Sequence, residues 1–432
     1  MTMKTLFPKQ QDTHDTIVES IRAGNSALDT SDTGTGKTVV ACQSAKTLGI
    51  PVAVICPKIV IPHWERELAE TGLTPVFVTN YEKIRRGNKF LTKTGKKTFR
   101  WTLPEPGTLI IFDEVHRASS PWTQNAQMLI AAKTQGIPVL MLSATACQDP
   151  TEMRGIGYAL GLHALNKSTP TMPGWFSWMK KLGCRQDHWK KWIPGAAWRL
   201  APLHREMYSS NCVKITVADL PTAFTENHII TEPLAFAALK DIAAFYKEAG
   251  VTPEIITQML DEDRKPSPHV VVEILRARQL VEAAKVPDIV DMVSDGMASG
   301  HSLVVFVNFT ATVRALQTLL PGCGIIVGGQ SAADREQVIT DFQTDRCRVV
   351  VANAAAGGVG VSLHDVNGTF PRMSLISPSF DIKEYVQMLG RIHRNGAKSP
   401  ALQRVLVASG TVEEYVMKTL ERKRQSLNVL HG

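Results

Sequence analysis

The 432-residue sequence lacks long hydrophobic runs, an apolar N-terminal segment and paired cysteines. Its apolar runs are only a few residues long, against the ~20 residues that cross a membrane. Residues 1–11 do not contain the apolar stretch of a secretory signal. The seven cysteines include no Cys-x-x-Cys pair, which argues against a zinc module and a disulfide framework. We therefore expect a cytoplasmic protein that binds neither membrane nor zinc, with most of its cysteines in the core.

The composition is otherwise that of a globular chain with enough apolar residues to form large cores. Hydrophobic residues make up 44% and charged residues 20% of the sequence, which at this length indicates two or three domains. The formal net charge is +8 and the isoelectric point is about 9.1. This excess favours a polyanionic partner, although a mildly basic surface that serves solubility is the ordinary alternative.

Short β-branched runs recur along the chain in two groups. They are Val52–Ile55, Leu109–Phe112 and Val139–Leu142, then Leu303–Val307, Ile325–Val327, Val349–Val351 and Val405–Val407. Fully apolar runs between helical stretches are typical of parallel strands that are covered on both faces. The pattern predicts two α/β lobes separated by a helical or irregular stretch from about residue 150 to 287. Ligands are expected beyond the carboxyl ends of the strands.

The segment 31–38 reads SDTGTGKT and is typical of a loop that cradles a triphosphate at the start of a helix. Backbone N–H groups would point at the phosphates, the Lys37 ammonium at the β and γ oxygens, and the Thr38 hydroxyl at Mg²⁺. The common pattern has glycine where Ser31 stands, so the match is partial, and a turn that merely caps a helix is the alternative. The predicted nucleotide-binding residues of the loop are Thr33, Gly34, Thr35, Gly36, Lys37 and Thr38.

Two carboxylates follow the apolar run Leu109–Phe112, at the sheet edge where the phosphate loop should also lie. Asp113 would hold Mg²⁺, directly or through water, and Glu114 would orient and deprotonate the attacking water. An acidic cap between strand and helix is the weaker alternative, because a Lys-Thr loop precedes this strand. Ser143 and Thr145 follow the next apolar run, where their hydroxyls would couple the site to a contact between lobes or cap a helix.

The second lobe contains a group of polar residues in the segment 385–394, YVQMLGRIHR. On a helix, Gln387, Arg391 and Arg394 fall at positions i, i+4 and i+7 and form one polar stripe. A guanidinium from this stripe could stabilise the charge of phosphoryl transfer at a γ-phosphate held by the other lobe. The catalytic assignment therefore comprises these three residues together with Lys37 and the two carboxylates. A solvated basic helix face is the alternative.

These motifs, with others in a fixed order, resemble helicase superfamily two, specifically its Snf-type branch of ATP-dependent DNA translocases. Further segments that resemble family motifs are 6–10 (LFPKQ), 56–67 (CPKIVIPHWERE), 79–82 (TNYE), 203–207 (LHREM), 219–221 (DLP), 328–335 (GGQSAADR), 357–363 (GGVGVSL) and 410–414 (GTVEE). The resemblance extends over nearly the whole chain. One departure is the segment 353–356, NAAA, where the family often has a hydroxyl and a basic residue.

The resemblance implies an α/β fold of two tandem RecA-like lobes, each a mostly parallel sheet covered by helices, with the ATP site in the cleft between them. It implies lobe 1 at 1–150, a Trp-rich helical extension or bridge at 151–222, and lobe 2 at 223–432. It assigns adenine recognition to Gln10, and coupling to His116, Ser143, Thr145 and Gly360. The residues that it places along nucleic acid are Lys58, Thr79, Asn80, Ser331, Arg335, Gly357 and Gly358.

The expected function is movement along nucleic acid driven by hydrolysis of ATP with Mg²⁺, and duplex DNA is the expected track. A strand-separating DNA or RNA helicase uses the same motifs. An ATP-switched regulator that binds a replication, repair or transcription protein is a further alternative. The short spacing between motifs resembles a minimal form from a bacterium or phage, so the expected location is the cytoplasm of a bacterial or phage-infected cell.

Two basic segments lie outside these motifs. Lys83, Arg85, Arg86, Lys89, Lys93, Lys96, Lys97 and Arg100 crowd one stretch, with Gly95 as a possible hairpin tip. This arm either binds phosphates or is a solvated surface hairpin. The second segment, 175–198, holds five tryptophans among lysines and arginines, which suits base stacking. The pairs Trp175/Trp178 and Trp189/Trp192 are spaced i, i+3, however, which favours helix faces packed into a small core.

Overall fold

The computed structural model describes residues 5–96, 98–188, 190–209, 211–234, 244, 246–247, 268–354 and 361–432. Of residues 268–270 only the backbone is described. The predicted roles of Gly357, Gly358 and Gly360 concern residues outside these ranges, as do the interpretations of Lys97 and Trp189.

The chain divides into two compact units. One comprises Met1–Leu220 together with Gln425–Gly432, and the other comprises Pro221–Arg424. The end of the sequence thus belongs to the first unit, whereas the sequence prediction placed all of 223–432 in lobe 2. The physical reason is that Leu430 and His431 are buried among side chains of the first unit.

The first unit is built on a sheet of six described strands in which all neighbouring strands are parallel. The strands of the unit are β1 (Ala27–Asp29), β2 (Val52–Cys56), β3 (Phe77–Asn80), β4 (Leu91–Lys93), β5 (Phe99–Trp101), β6 (Leu109–Asp113), β7 (Val139–Leu142), β8 (Arg185–Gln186), β9 (Trp192–Ile193) and β10 (Cys212–Val213). The sheet has the order β10-β1-β7-β6-β2-β3, while β4 and β5 form one antiparallel hairpin and β8 and β9 another. The helices are α1 (Pro8–Arg22), α2 (Lys37–Leu48), α3 (Ile61–Thr71), α4 (Tyr81–Ile84), α5 (Gln124–Thr134), α6 (Arg154–Leu160), α7 (Trp175–Lys181) and α8 (Leu200–Tyr208).

Apolar side chains cover both faces of this sheet, because successive residues of a strand point to opposite faces. In β6, Ile110 and Phe112 pack into one buried cluster, and Leu109 and Ile111 pack into another. A strand buried on both faces has no polar face, which is why it reads as a continuous apolar run in the sequence.

The second unit has the same construction. Its strands are β11 (Asn227–Leu234), β12 (Ser302–Val307), β13 (Gly324–Ile326), β14 (Val349–Asn353), β15 (Arg372–Ile376) and β16 (Ala401–Ala408), in the order β11-β16-β15-β12-β14-β13. All neighbouring strands are parallel. Its described helices are α9 (Pro268–Ala284), α10 (Val286–Ala298), α11 (Thr310–Leu319), α12 (Ala332–Gln343), α13 (Ile382–Leu389) and α14 (Val412–His431), the last of which ends in the first unit. Two parallel sheets covered by helices confirm the predicted fold class.

The prediction that residues 150–287 are helical or irregular is wrong for β8 to β11. Three of these strands are only two residues long, too short to form an apolar run, and β11 is an edge strand whose side chains are mostly exposed. The predicted helical packing of Trp175 and Trp178 is confirmed, since both are buried on α7. Helical spacing is wrong for Trp192, because that residue lies in β9, which follows a turn closed by Asp187 and Lys190.

The sequence predicted no membrane-spanning segment and a mostly buried set of cysteines. No described helix is long and apolar enough to cross a membrane. Cys42, Cys56, Cys147, Cys184 and Cys212 are buried, while Cys323 and Cys347 are partly exposed. The prediction that most cysteines belong to the core is confirmed.

Candidate functional site

The phosphate loop connects β1 to α2 at the carboxyl edge of the first sheet. Gly34 and Gly36 adopt positive φ angles of 87° and 95°, which only glycine adopts at little cost. The loop therefore turns so that the helix begins at Lys37, and the first backbone N–H groups of α2 have no partner within the helix. The Lys37 ammonium donates to the carbonyl oxygens of Ser31 and Asp32 at 2.5 and 2.9 Å. The loop thus holds a cation and free N–H groups at one point, which is the chemistry that binds phosphate.

Gln10 supports this loop from α1. Its side-chain amide donates to the Thr35 carbonyl at 2.8 Å and accepts from the Phe7 backbone N–H at 3.0 Å. A Cβ atom added at Gly36 would lie 2.6 Å from the Gln10 amide nitrogen. Glycine at position 36 is therefore required both by its backbone conformation and by the close approach of Gln10.

We expect Gly36→Ala to raise the KM for ATP by roughly 30- to 150-fold, which corresponds to about 2–3 kcal/mol. The new methyl group strains the left-handed backbone by ~1–2 kcal/mol and displaces the Gln10 amide from Thr35, which costs ~1 kcal/mol more. Gly49→Ala is the matched control, because Gly49 ends the same helix at φ 64° with nothing within 4 Å of an added Cβ. Steady-state kinetics should show a changed KM for the first variant alone. An equal effect in both variants would mean that only helix stability matters.

Residues that are distant in sequence stabilise the phosphate loop through hydrogen bonds. The Ser31 hydroxyl accepts from the Ile215 N–H at 2.9 Å. Serine, at a position where glycine is common, therefore ties the loop to the segment that follows β10. The Thr30 hydroxyl bonds the Tyr208 hydroxyl at 2.5 Å, and Tyr208 bonds His431 Nδ1 at 3.0 Å. His431 Nε2 lies 2.9 Å from the Cys147 carbonyl, so Nε2 donates and Nδ1 accepts. Burial lowers the pKa of His431 to about 4, which keeps the ring neutral.

The carboxylate of Asp113 lies at the same sheet edge. Asp113 at the end of β6 pairs with Leu142 of β7, and Leu142 pairs with Asp29 at the end of β1. The Trp64 indole N–H donates to Asp113 Oδ2 at 2.8 Å, and the Tyr81 hydroxyl donates to the Asp113 carbonyl. Trp64, from the motif-like segment 56–67, thus orients this carboxylate, and Tyr81, from the segment 79–82, holds the backbone of the same residue.

The pKa of Asp113 is raised to about 7. Burial is the main cause, and the neighbouring charge of Glu114 adds to it, while the hydrogen bond from Trp64 and the charge of Lys37 oppose the rise. Burial likewise raises the pKa of Asp29, whose Oδ2 has no hydrogen-bond partner among the described residues. Carboxyl groups with raised pKa values beside a half-buried lysine are typical of a catalytic edge.

We expect Trp64→Phe to move the acidic limb of the ATPase pH profile upward by up to about one pH unit. The change removes a donor that favours the ionised Asp113, so the pKa of Asp113 rises further and its charge is lost at a higher pH. Trp101→Phe is the matched control, since Trp101 is equally buried but donates to the Met128 carbonyl. Equal shifts in the two variants, or none in Trp64→Phe, would contradict the role of this hydrogen bond.

Glu114 follows Asp113 in a left-handed conformation with φ 52°, which is uncommon for a residue with a side chain. Its Oε2 lies 3.1 Å from His116 Nδ1 and accepts from the Ser143 hydroxyl at 3.4 Å. The Ser143 hydroxyl also lies 3.1 Å from His116 and accepts from the Thr145 N–H. The structure therefore joins the predicted water-activating residue to three of the predicted coupling residues.

The donor set at this edge fits Mg²⁺. It consists of the Asp113 carboxylate and the Thr38 hydroxyl on the first turn of α2, both oxygen ligands of the kind that Mg²⁺ prefers. Among the described residues, no group of three or more His, Cys, Asp or Glu side chains gathers as a metal site. Mg²⁺ does not require one, because it commonly binds through one or two carboxylates, water and substrate phosphates.

The predicted helical stripe of the second unit is wrong. Helix α13 ends at Leu389, so Gln387 is helical and buried while Arg391 and Arg394 lie in the following turn. Gly390 favours this end, and Arg394 Nε donates to the Gly390 carbonyl at 2.9 Å. Arg394 also donates to the Ser362 hydroxyl at 2.8 Å, whereas Arg391 is 2% exposed and donates to the Val361 carbonyl. Both arginines thus contact the segment that follows residues 355–360.

The residues predicted along nucleic acid occupy varied positions. Lys58 is exposed in the turn after β2, and Thr79 is buried near the end of β3. The side chain of Asn80 caps α4 by accepting from the Lys83 N–H. Ser331 caps α12, and the Arg335 guanidinium donates to the Val327 carbonyl at 2.8 Å. Their predicted contacts with nucleic acid remain predictions.

Sequence comparison finds two family matches. The family described as "Type III restriction enzyme, res subunit" matches residues 3–148, and "Helicase conserved C-terminal domain" matches residues 284–396. The first range contains the phosphate loop and both carboxylates, and the second contains Arg391 and Arg394. The two matches therefore cover both halves of the predicted catalytic set.

Individual relatives agree with these matches. "Putative ATP-dependent RNA helicase L364" of Acanthamoeba polyphaga mimivirus is 28% identical over 100% of this chain and 84% of its own length. The "DNA repair and recombination protein RAD54-like" of Drosophila ananassae is 26% identical over 49% of this chain and 29% of its own length. A similar solved structure is the "Sulfolobus solfataricus SWI2/SNF2 ATPase core in complex with dsDNA", with 16% identity, a TM-score of 0.38 and coverage of 98% of this chain and 92% of that one. The two family matches and the viral relative show that this chain is an ATP-hydrolysing enzyme of the helicase kind.

Proposed function

We propose that this protein is a translocase that moves along duplex DNA by hydrolysing ATP with Mg²⁺ at the carboxyl edge of the first sheet. The observation that carries the proposal is the convergence of Lys37, Asp113 and Glu114 on that edge, with Asp113 oriented by Trp64. This arrangement supplies a cation for the phosphates, a carboxylate for a divalent ion and a second carboxylate for a water molecule.

Each residue of the candidate site has a separate proposed role in ATP hydrolysis. Lys37 would leave the Ser31 and Asp32 carbonyls for the β and γ oxygens of ATP, while the N–H groups of the loop bind the same phosphates. Mg²⁺, held by Thr38 and Asp113, would neutralise phosphate charge. Glu114 would orient and deprotonate the attacking water, with its carboxylate positioned by His116 and Ser143.

Arg391 and Arg394 are proposed to stabilise the charge of the transferring phosphate, and buried Gln387 to complete the group. The support is chemical, since guanidinium groups bind phosphate oxygens with fixed geometry. Arg394 contacts the Ser362 hydroxyl and Arg391 contacts the Val361 carbonyl, so two neighbouring residues hold the two guanidinium groups. Gln10 is proposed to recognise adenine, in addition to its contact with the loop.

The nucleic-acid part of the proposal rests on the similarity to helicases and on the basic charge of the chain. The relatives named above include one described as an RNA helicase, one named for DNA repair and a solved structure that contains duplex DNA. Duplex DNA is the track that fits the Snf-type branch. The viral relative makes RNA unwinding the second candidate function.

The test is the steady-state ATPase rate with no nucleic acid, single-stranded DNA, duplex DNA and RNA, with Lys37→Ala as the blank. We expect the strongest stimulation by duplex DNA, together with displacement of a triplex-forming strand. Stimulation by RNA and unwinding of a fluorescent fork would establish the second candidate function instead. A rate that no nucleic acid changes would reject both and indicate an ATP-switched regulator.

A further inference from the structure

The hairpin β4–β5 in the first unit presents a cationic surface that the catalytic residues do not use. We propose that this hairpin, with the turn that precedes it, binds the phosphate backbone of duplex nucleic acid. The proposal rests on the proposed function, to which it adds a second contact surface outside the family motifs. The exposed cations of this surface, here called the basic hairpin, are Lys83, Arg86, Lys89, Lys93, Lys96 and Arg100.

The charge of the basic hairpin is of one sign. The sequence contains no aspartate or glutamate between Glu82 and Glu105, while arginine and lysine recur throughout that stretch. Within the described part of the chain, the six exposed cations form no ion pair with a carboxylate. A positive surface without compensating carboxylates attracts a polyanion by releasing condensed counterions.

The hairpin is fixed to the core of the unit. Leu91, Phe99 and Trp101 are buried, while Arg100 between the last two is exposed. The Gln135 amide bonds both backbone groups of Trp101, at 2.8 and 2.9 Å, and the Trp101 indole N–H donates to the Met128 carbonyl. The cations therefore project from a held backbone, so little backbone entropy is lost when the surface binds a ligand.

The basic hairpin is continuous with residues that were predicted to follow nucleic acid. Asn80, at the end of β3, accepts from the backbone N–H of Lys83 at 2.8 Å. Helix α4 then leads to the hairpin in a single turn, and the Asn88 side chain closes the loop by bonding the N–H groups of Phe90 and Leu91. Exposed cations therefore follow Asn80 along the chain, at Lys83, Arg86 and Lys89.

Nucleic acid fits this surface better than a membrane or an acidic protein. Among the described residues, none of the exposed large apolar side chains lies between Lys83 and Thr102, so the surface offers nothing to insert into a bilayer. A protein interface would also need an apolar centre, which the exposed face lacks. Lysine and arginine alone suffice for phosphates, whose recognition requires no sequence contact.

The test is the salt dependence of duplex binding, measured by fluorescence anisotropy with a labelled DNA duplex. In one variant Lys89, Lys93, Lys96 and Arg100 are all changed to Gln. We expect weaker binding, by about ten-fold or more at low salt. The slope of log K against log salt should become shallower by about 2 to 4, because each lost phosphate contact removes ~0.9. The ATPase rate without nucleic acid should be unchanged.

The matched control changes Arg22, Lys46, Lys167 and Arg205 to Gln, which removes the same charge from exposed positions of the unit outside both basic segments. Equal losses in the two variants would show an effect of net charge alone and overturn the proposal. So would an unchanged slope in the hairpin variant while the original protein binds duplex DNA, or binding of the hairpin to phosphatidylserine vesicles with DNA affinity unaffected. Failure of the original protein to bind any duplex would instead reject the proposed function.

Discussion

Glu114→Gln is expected to lower kcat for ATP by about 10²- to 10⁴-fold while leaving nucleotide affinity nearly unchanged. A general base contributes on this scale, and the amide cannot accept a proton from water at neutral pH. Glutamine has the shape of glutamate, so it can still occupy the space beside His116 and Ser143. The phosphate loop and Asp113 remain intact. The loss should therefore appear in the chemical step and not in binding.

The measurement pairs a steady-state ATPase assay with nucleotide binding by a fluorescent ATP analogue. Glu19→Gln is the control, because Glu19 is an exposed carboxylate of the same unit that lies on α1 and not at the end of a strand. The control should keep its turnover. If Glu114→Gln retained turnover within ten-fold of the original protein, water activation would have to be assigned to another residue.

The parallel sheets could be predicted because buried parallel strands are apolar on both faces. Val139–Leu142 and Leu303–Val307 need only their own sequence to be recognised, and both lie in strands. The position of Asp113 at the carboxyl edge of the sheet could be predicted in the same way, because Asp113 directly follows the apolar run Leu109–Phe112. In the sheet, Asp113 pairs with Leu142 of β7, which in turn pairs with Asp29 of β1.

Other features depend on contacts that leave no periodic signal. Trp64 reaches Asp113 across 49 positions, and Tyr208 reaches His431 across 223. Neither pair follows from spacing along a helix or strand. Strands of two residues, such as β10, exist because a neighbouring strand holds them, since Cys212 pairs with Leu28. Two residues are too few to show the apolar pattern by which a strand is recognised in a sequence.

The predicted helical stripe of the second unit is wrong for a local reason, which is the early end of α13. Helical spacing joined Gln387 to Arg391 and Arg394, but Gly390 lies between them and α13 ends there. Arg394 then bonds the Gly390 carbonyl, so a side chain takes the place of the next helical N–H. The two arginines consequently differ in environment, and substitution should affect them differently.

Arg394→Ala is expected to lower ATP turnover by about 10³- to 10⁵-fold while ATP binding and folding persist. A guanidinium that stabilises the transferring phosphate contributes on this scale. Arg394 is partly exposed, and its contacts include a hydroxyl and a carbonyl at a helix end, both of which water can replace. Arg394→Lys should recover little, because an ammonium lacks the paired N–H groups.

Arg391→Ala should differ by also lowering the melting temperature. Arg391 is almost fully buried and donates to Val361, so its removal leaves a cavity and an unpaired carbonyl, on the order of 2 kcal/mol. Arg404→Ala is the control for charge, since Arg404 pairs with Glu232 through two 2.6 Å contacts in the same unit. Thermal denaturation and turnover measured on all three variants separate the two roles. Near-normal turnover in Arg394→Ala would remove this arginine from the chemistry, and low turnover without loss of stability in Arg391→Ala would show that its main role is catalytic.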